Sequence, residues 1–159
     1  MRNVLVKLYI DVLEALQGDR IAGALFAFDP YSTHDSVHLG TDRLQTAVGP
    51  DDILNWEVSS LECEAYVNIV DLELPAWLRA ERVTVRDRDY WRAHVVGTPE
   101  PATYAVTFAI GRYGKRMRHA GHLGFVPAVD ESADLPVRPR ASAEPITKQR
   151  RSREKGGAA

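Results

Sequence analysis

Apolar and polar residues alternate with a period of two in several stretches of the chain, a pattern typical of β-strands that bury one face. In residues 61–74 the alternation predicts a half-buried strand with Cys63 and every second residue up to Ile69 on the core side. Residues 102–110 alternate in the same way, and we expect a central or near-central strand there, with residues 122–127 returning as its partner. A β-sheet is therefore predicted as the main element of the fold.

The N-terminal segment fits two patterns. Residues 4–17 place apolar side chains at near-helical spacing and are followed by Gly18, a typical residue at a helix end. The alternative is a strand, because every second residue from Val4 to Ile10 is apolar and most of these are β-branched. Both alternatives bury Leu8, and we predict the amphipathic helix.

The remaining patterns are shorter. Residues 21–28 form an apolar run that predicts one arm of a hairpin. Residues 82–96 predict one or two strands joined by a charged turn at residues 86–89. Pro50 and Pro75 each favour a brief turn of helix, because proline is well placed in a first helical turn.

Together these elements predict an α+β fold: a mainly antiparallel β-sheet of about five or six strands with the N-terminal amphipathic helix packed against it. Residues 1–129 are expected to form a single globular α+β domain. Residues 130–159 are rich in proline, small polar residues and charge, a composition that cannot offset the entropy of ordering, so we predict a disordered basic C-terminal tail. The pattern does not decide between an open sheet and a barrel.

Cysteine content and hydropathy bear on the cellular compartment in which the protein is expected. Cys63 is the single cysteine of the 159 residues, which excludes an intrachain disulfide and a multi-thiolate metal site. No secretory signal is evident, and no apolar run approaches the ~20 residues needed to span a bilayer. We therefore expect a cytoplasmic protein with no membrane association.

Charge is arranged in blocks. No Lys or Arg lies between Arg43 and Arg79, whereas this stretch carries seven acidic residues. An acidic face is therefore predicted to bind a protein partner. Its residues are Glu57, Glu62, Glu64, Asp71 and Glu73. The alternative is that acidic and basic strands pair across the sheet, or that the charges are simply solvated.

These charges support the leading hypothesis, a non-enzymatic macromolecular interaction protein that acts through segregated acidic and basic surfaces. An acidic face suits an inhibitor or immunity-type protein that covers a basic partner. Contact between opposite faces of successive copies suits an assembly subunit. A specific protein partner is expected in either case, and its identity does not follow from the sequence.

A second hypothesis, nucleic-acid binding or regulation, rests on the basic segment 111–122, GRYGKRMRHAGH, and on the tail. The segment lacks the first glycine and the hydroxyl residue of a Walker loop, and no G-x-G occurs in the chain. The possible nucleic-acid contacts are Arg112, Tyr113, Lys115, Arg116, Arg118, His119, Lys148, Arg150, Arg151 and Arg153. The alternative is a hairpin turned by Gly111 and Gly114 with an exposed cationic tip.

A third hypothesis is a small enzyme with a His-based site, formed from the pairs His34 with His38 or His119 with His122. Closed zinc sites usually carry cysteines or one compact His/acid motif, and no G-x-S-x-G nucleophile motif is present. We therefore predict no metal, no cofactor and no catalytic residue, and we favour a non-enzymatic function.

Overall fold

The computed structural model describes residues 1–30, 36–86 and 88–125. Within these ranges the chain forms nine strands and one short helix. The elements are β1 (Asn3–Ile10), α1 (Val12–Gly18), β2 (Leu25–Phe28), β3 (Gln45–Val48), β4 (Ile53–Ser60), β5 (Val67–Glu73), β6 (Leu78–Val85), β7 (Arg88–Val95), β8 (Ala102–Ile110) and β9 (Lys115–Phe125).

The strands form two sheets that pack face to face. The five-stranded sheet has the order β2-β1-β4-β7-β6, and the four-stranded sheet has the order β3-β9-β8-β5. Both sheets are mixed, because β1 with β4 and β3 with β9 are parallel while the other pairs are antiparallel. Trp56 of β4 contacts Tyr104 of β8 edge to face, with ring centroids 5.6 Å apart. Both rings are buried, so the core lies between the sheets.

The prediction of an α+β fold is therefore wrong: the described residues are almost entirely β, with nine strands rather than five or six. The sequence patterns missed β3 and β4, and β4 lies in the middle of the five-stranded sheet. Leu54 and Trp56 of β4 are fully buried. The parallel pairs were also missed, because parallel strands need long crossover connections that a local pattern does not show.

The predicted amphipathic helix over residues 4–17 is also wrong. Its first half is β1, hydrogen-bonded on both sides to β2 and β4, as the strand alternative required. Every second residue from Val4 to Ile10 is buried, the pattern of a strand with one face in the core. The helix begins only after Asp11, whose carboxylate accepts a hydrogen bond from the Glu14 N–H at 2.8 Å and so caps α1.

The predicted strand over residues 61–74 begins later than expected, at Val67. Residues 61–66 form a turn, which the Ser60 hydroxyl closes by donating hydrogen bonds to the carbonyls of Glu62 (2.7 Å) and Ala65 (2.9 Å). Cys63 lies in this turn and is exposed rather than buried. The helical turn predicted at Pro75 is likewise wrong: the chain forms a non-helical turn there that leads directly into β6.

Three local predictions are confirmed. Residues 82–96 contain the hairpin of β6 and β7, which pair antiparallel. Residues 102–110 form β8, an interior strand of its sheet. The predicted partner, residues 122–127, coincides as far as Phe125 with the end of β9, which pairs antiparallel with β8.

The predicted tail, residues 130–159, lies outside the described residues and stays a prediction. None of the helices in the described ranges is long and apolar enough to cross a membrane.

Candidate functional site

The outer face of the four-stranded sheet brings together acids and bases that were predicted as separate sites. β5 contributes Asp71 and Glu73 to this face, and β9 contributes Arg116 and Arg118; all four residues are exposed. β8 lies between the two strands, so the acidic and basic rows are about 10 Å apart, two strand spacings. We call these four residues the charged face.

A β-bulge places the acids on this side of the sheet. The pairing of β5 with β8 shifts between Ile69 and Asp71, so that Ile69 lies opposite the buried Phe108 while Asp71 lies opposite Thr107. Without the extra residue, simple alternation after Ile69 would direct Asp71 towards the core. The bulge therefore creates the acidic row.

One ion pair already links the two rows. Arg118 Nη2 lies 2.8 Å from Glu73 Oε2, and both side chains are more than half exposed. Such a surface pair contributes about 0–1 kcal/mol to stability. The side chains of Asp71 and Arg116 have no ion-pair or hydrogen-bond partner among the residues that the structure describes. The acidic row therefore retains an unpaired negative charge and the basic row an unpaired positive one.

The other predicted acids lie elsewhere. Glu62 caps α1: its carboxylate accepts hydrogen bonds from the backbone N–H groups of Leu13 (3.0 Å) and Val12 (3.1 Å). These two bonds, the one from Leu13 most strongly, lower the pKa of Glu62. Glu64 is exposed in the same turn, and Glu57 lies on β4 in the other sheet. The five predicted acids therefore do not form one surface.

The capping role of Glu62 predicts a pH-dependent loss of stability. We expect Glu62→Gln to lower the free energy of unfolding by about 1 kcal/mol at pH 7, because the charged acceptor at the helix start is lost. A lowered pKa means that the charged carboxylate stabilises the fold above pH 4.5 and that this contribution is lost as the pH falls through the folded-state value. In urea denaturation, the difference in the free energy of unfolding between Glu62→Gln and the wild type should therefore shrink below pH 4.5.

Glu64→Gln is the matched control in the same turn, and its free energy of unfolding should equal that of the wild type. Equal stability of Glu62→Gln and the wild type at pH 7 would contradict the capping role.

The predicted nucleic-acid contacts are also dispersed. Arg112 and Tyr113 lie at the tip of the β8–β9 hairpin, where the Tyr113 side chain is 93% exposed. Gly111 and Gly114 turn the hairpin with φ of 71° and 61°, as the hairpin alternative required. Lys115 forms an ion pair with Asp19 at the end of α1, away from the charged face. Lys148, Arg150, Arg151 and Arg153 lie outside the described residues.

The histidines that could form a catalytic or metal site do not converge. His119 is half-buried and His122 is exposed, and alternation places them on opposite faces of β9. Burial lowers the pKa of His119, an effect that the negative charge of Asp42 partly offsets. His38 lies before β3, and His34 lies outside the described residues. The described residues contain no group of three potential metal ligands.

A cleft of about 1120 Å³ opens beside β4 of the five-stranded sheet, with the start of β5 from the other sheet in its wall. β4 pairs with β7 only as far as Trp56 and Trp91, after which the two strands separate. Glu57, Ser59 and Asn68 are among its lining residues. No histidine or cysteine is among these lining residues; the carboxylates are those of Glu57 and Asp89.

Comparison with known proteins assigns a family and a fold. The chain belongs to the family described as Domain of unknown function (DUF8788), whose model matches residues 2–118. The fold is similar to that of an inclusion body protein (PixA) from Burkholderia cenocepacia J2315, with a TM-score of 0.67 and 13% identity over 79% of this chain and 96% of that chain. Fet3p, a multicopper oxidase that functions in iron import, matches with a TM-score of only 0.35 and 10% identity, over 94% of this chain and 32% of that chain. No curated protein matches the chain.

Proposed function

We propose that this protein is a non-enzymatic assembly subunit that binds further copies of itself through the charged face. The observation that carries the proposal is the pair of unpaired charges, Asp71 on the acidic row and Arg116 on the basic row. A second copy, rotated by 180° about an axis parallel to the strands, would place its basic row over the acidic row of the first. The same rotation would place its acidic row over the first copy's basic row, so the face is complementary to itself.

The fold comparison supports an assembly subunit over an inhibitor. One solved structure of similar fold is that of an inclusion body protein, a description that suits a protein that assembles. The acidic residues also argue against an inhibitor with one large acidic surface, because Glu62 is engaged in capping α1 and Glu57 lies on the other sheet. Self-association needs only the two rows that the four-stranded sheet brings together.

A charge-reversal series tests this proposal. We expect Arg116→Glu and Asp71→Lys each to weaken self-association about tenfold, because each places like charges opposite one another across the interface. The double variant exchanges the two signs and should recover affinity to within about threefold of the wild type. Dissociation constants from sedimentation velocity at low salt measure both effects.

The matched control is Arg112→Glu, which makes the same charge change at the hairpin tip, outside the charged face. It should leave self-association unchanged. If all three single variants associate like the wild type, the charged face is not the interface. If Arg112→Glu weakens association as much as Arg116→Glu, which makes the same change in net charge, the effect is one of net charge and the proposed face is wrong.

We also place the protein in the cytoplasm as part of this proposal. Cys63 is exposed and carries a free thiol, which suits a reducing compartment. Nucleic-acid binding stays a prediction. Its described candidate residues lie on the hairpin tip, the charged face and the inner side of β9 rather than on one surface, so we do not adopt it as the proposed function.

A further inference from the structure

One edge of the five-stranded sheet is an exposed strand, β6. β6 is the last strand of its sheet and pairs with β7 on one side only. No other described strand covers its outer edge. Six of its eight residues are exposed, so the strand is open on both faces as well as along the edge. An edge strand of this length presents a row of unpaired backbone groups that can bind another strand.

The side chains of β6 are complementary to those of a second β6 in one register. When two copies pair antiparallel about a twofold axis at Ala80, Arg79 of each copy lies opposite Glu81 of the other. Residues that lie directly opposite in an antiparallel pair share one face and have Cβ atoms about 5 Å apart, close enough for an ion pair. Arg79 and Glu81 are both exposed, and Glu81 lies 3.6 Å from His94 on the neighbouring strand.

Neighbouring registers are opposed by charge. A twofold axis at Glu81 would place the two Glu81 side chains directly opposite one another. An axis at Arg82 would do the same for the two arginines, and like charges directly opposite are destabilising. The register centred on Ala80 instead places two small side chains at the axis and forms two Arg–Glu pairs.

We propose that β6 pairs antiparallel with β6 of a second copy of this chain about a twofold axis at Ala80, which joins two five-stranded sheets into one. This interface is separate from the charged face, which lies on the other sheet. The next step rests on the proposed function: with the charged face as its other self-complementary surface, a subunit binds a different copy at each, and the assembly extends as a chain rather than closing at a dimer.

Cysteine cross-linking of the full chain tests the register. In a Cys63→Ser background, Ala80→Cys places two thiols opposite one another across the axis, at a Cα separation that a disulfide spans. We expect most of the protein to form a disulfide-linked dimer under mild oxidation, seen on non-reducing gels. Thr84→Cys is the matched control on the same strand. In this register the two Thr84 residues are about 27 Å apart, eight residues along a strand, and should not cross-link.

Charge variants give a second, independent readout. Arg79→Glu should reduce the Ala80→Cys cross-link at least tenfold, and adding Glu81→Arg should restore it, because the Arg–Glu pairs are then re-formed with the signs exchanged. Equal cross-linking at positions 80 and 84, or none at position 80 under conditions in which the protein self-associates, would overturn the proposal. Efficient cross-linking at position 80 would support β6 pairing. If Arg116→Glu and Asp71→Lys then leave self-association as in the wild type, the charged face is rejected while β6 pairing stands.

Discussion

Replacing Gly121 with alanine is expected to destabilise the fold by about 3 kcal/mol, a large fraction of the stability of a domain of this size. Gly121 of β9 lies directly opposite Tyr104 of β8, and the aromatic ring covers the glycine. A Cβ atom at position 121 would overlap the ring carbons of Tyr104 and lie 2.5 Å from its hydroxyl oxygen. The ring cannot move aside easily, because it is buried between the sheets against Trp56.

Gly124→Ala is the matched control on the same strand. A Cβ at Gly124 would meet the end of the Gln45 side chain, at 2.8 Å from its amide nitrogen, and a flexible side chain at the surface edge can shift. We expect this variant to cost less than about 1 kcal/mol in urea denaturation. In a Tyr104→Ala background the Gly121→Ala change should also cost little, because its collision partner is gone. A stability of Gly121→Ala equal to that of Gly124→Ala would contradict this packing.

Asp52→Asn is expected to cost about 2 kcal/mol, the second-largest effect. Asp52 is 2% exposed and connects the start of β1 to the turn before β4. Its carboxylate accepts hydrogen bonds from the Arg2 backbone N–H (3.0 Å), from the Arg2 guanidinium (2.7 Å at Nη2) and from the Gly49 N–H (2.7 Å). An asparagine amide group brings a donor against these donors and removes the charge.

Asp51→Asn provides the control for Asp52→Asn. Asp51 is the exposed neighbour, its φ is 60°, and asparagine tolerates this left-handed conformation, so the substitution removes the same charge without backbone strain. We expect its free energy of unfolding to match the wild type within about 0.5 kcal/mol. Equal effects of the two variants would show that net charge, rather than the buried hydrogen bonds, accounts for the loss.

The sequence predicts the parts of this fold that depend on neighbouring residues. Alternation in residues 102–110 identifies β8, and the charged turn within residues 82–96 identifies the β6–β7 hairpin. The N-terminal segment shows the limit of the method, because a strand and a short helix follow one another and their apolar residues together mimic one long helix. The N-cap contact of Asp11 with Glu14 was the local signal that could have separated them.

Other features depend on contacts between distant residues and could not be predicted. The bulge after Ile69 reverses the alternation and moves Asp71 outward, and the sequence around it carries no glycine that would have marked it. Glu62 caps a helix about 50 positions away in the chain, so its sequence neighbours do not reveal that role. The charged face itself exists because β8 lies between β5 and β9, an order that only the pairing of the strands establishes.

The central claim is that the protein associates with itself through complementary charge. Sedimentation velocity of the full chain over a wide concentration range, at low and at high salt, tests it most directly. The account predicts a sedimentation coefficient that rises with concentration at low salt and rises less at high salt, because salt screens exposed charges. A single monomeric species at every concentration in low salt would contradict the claim.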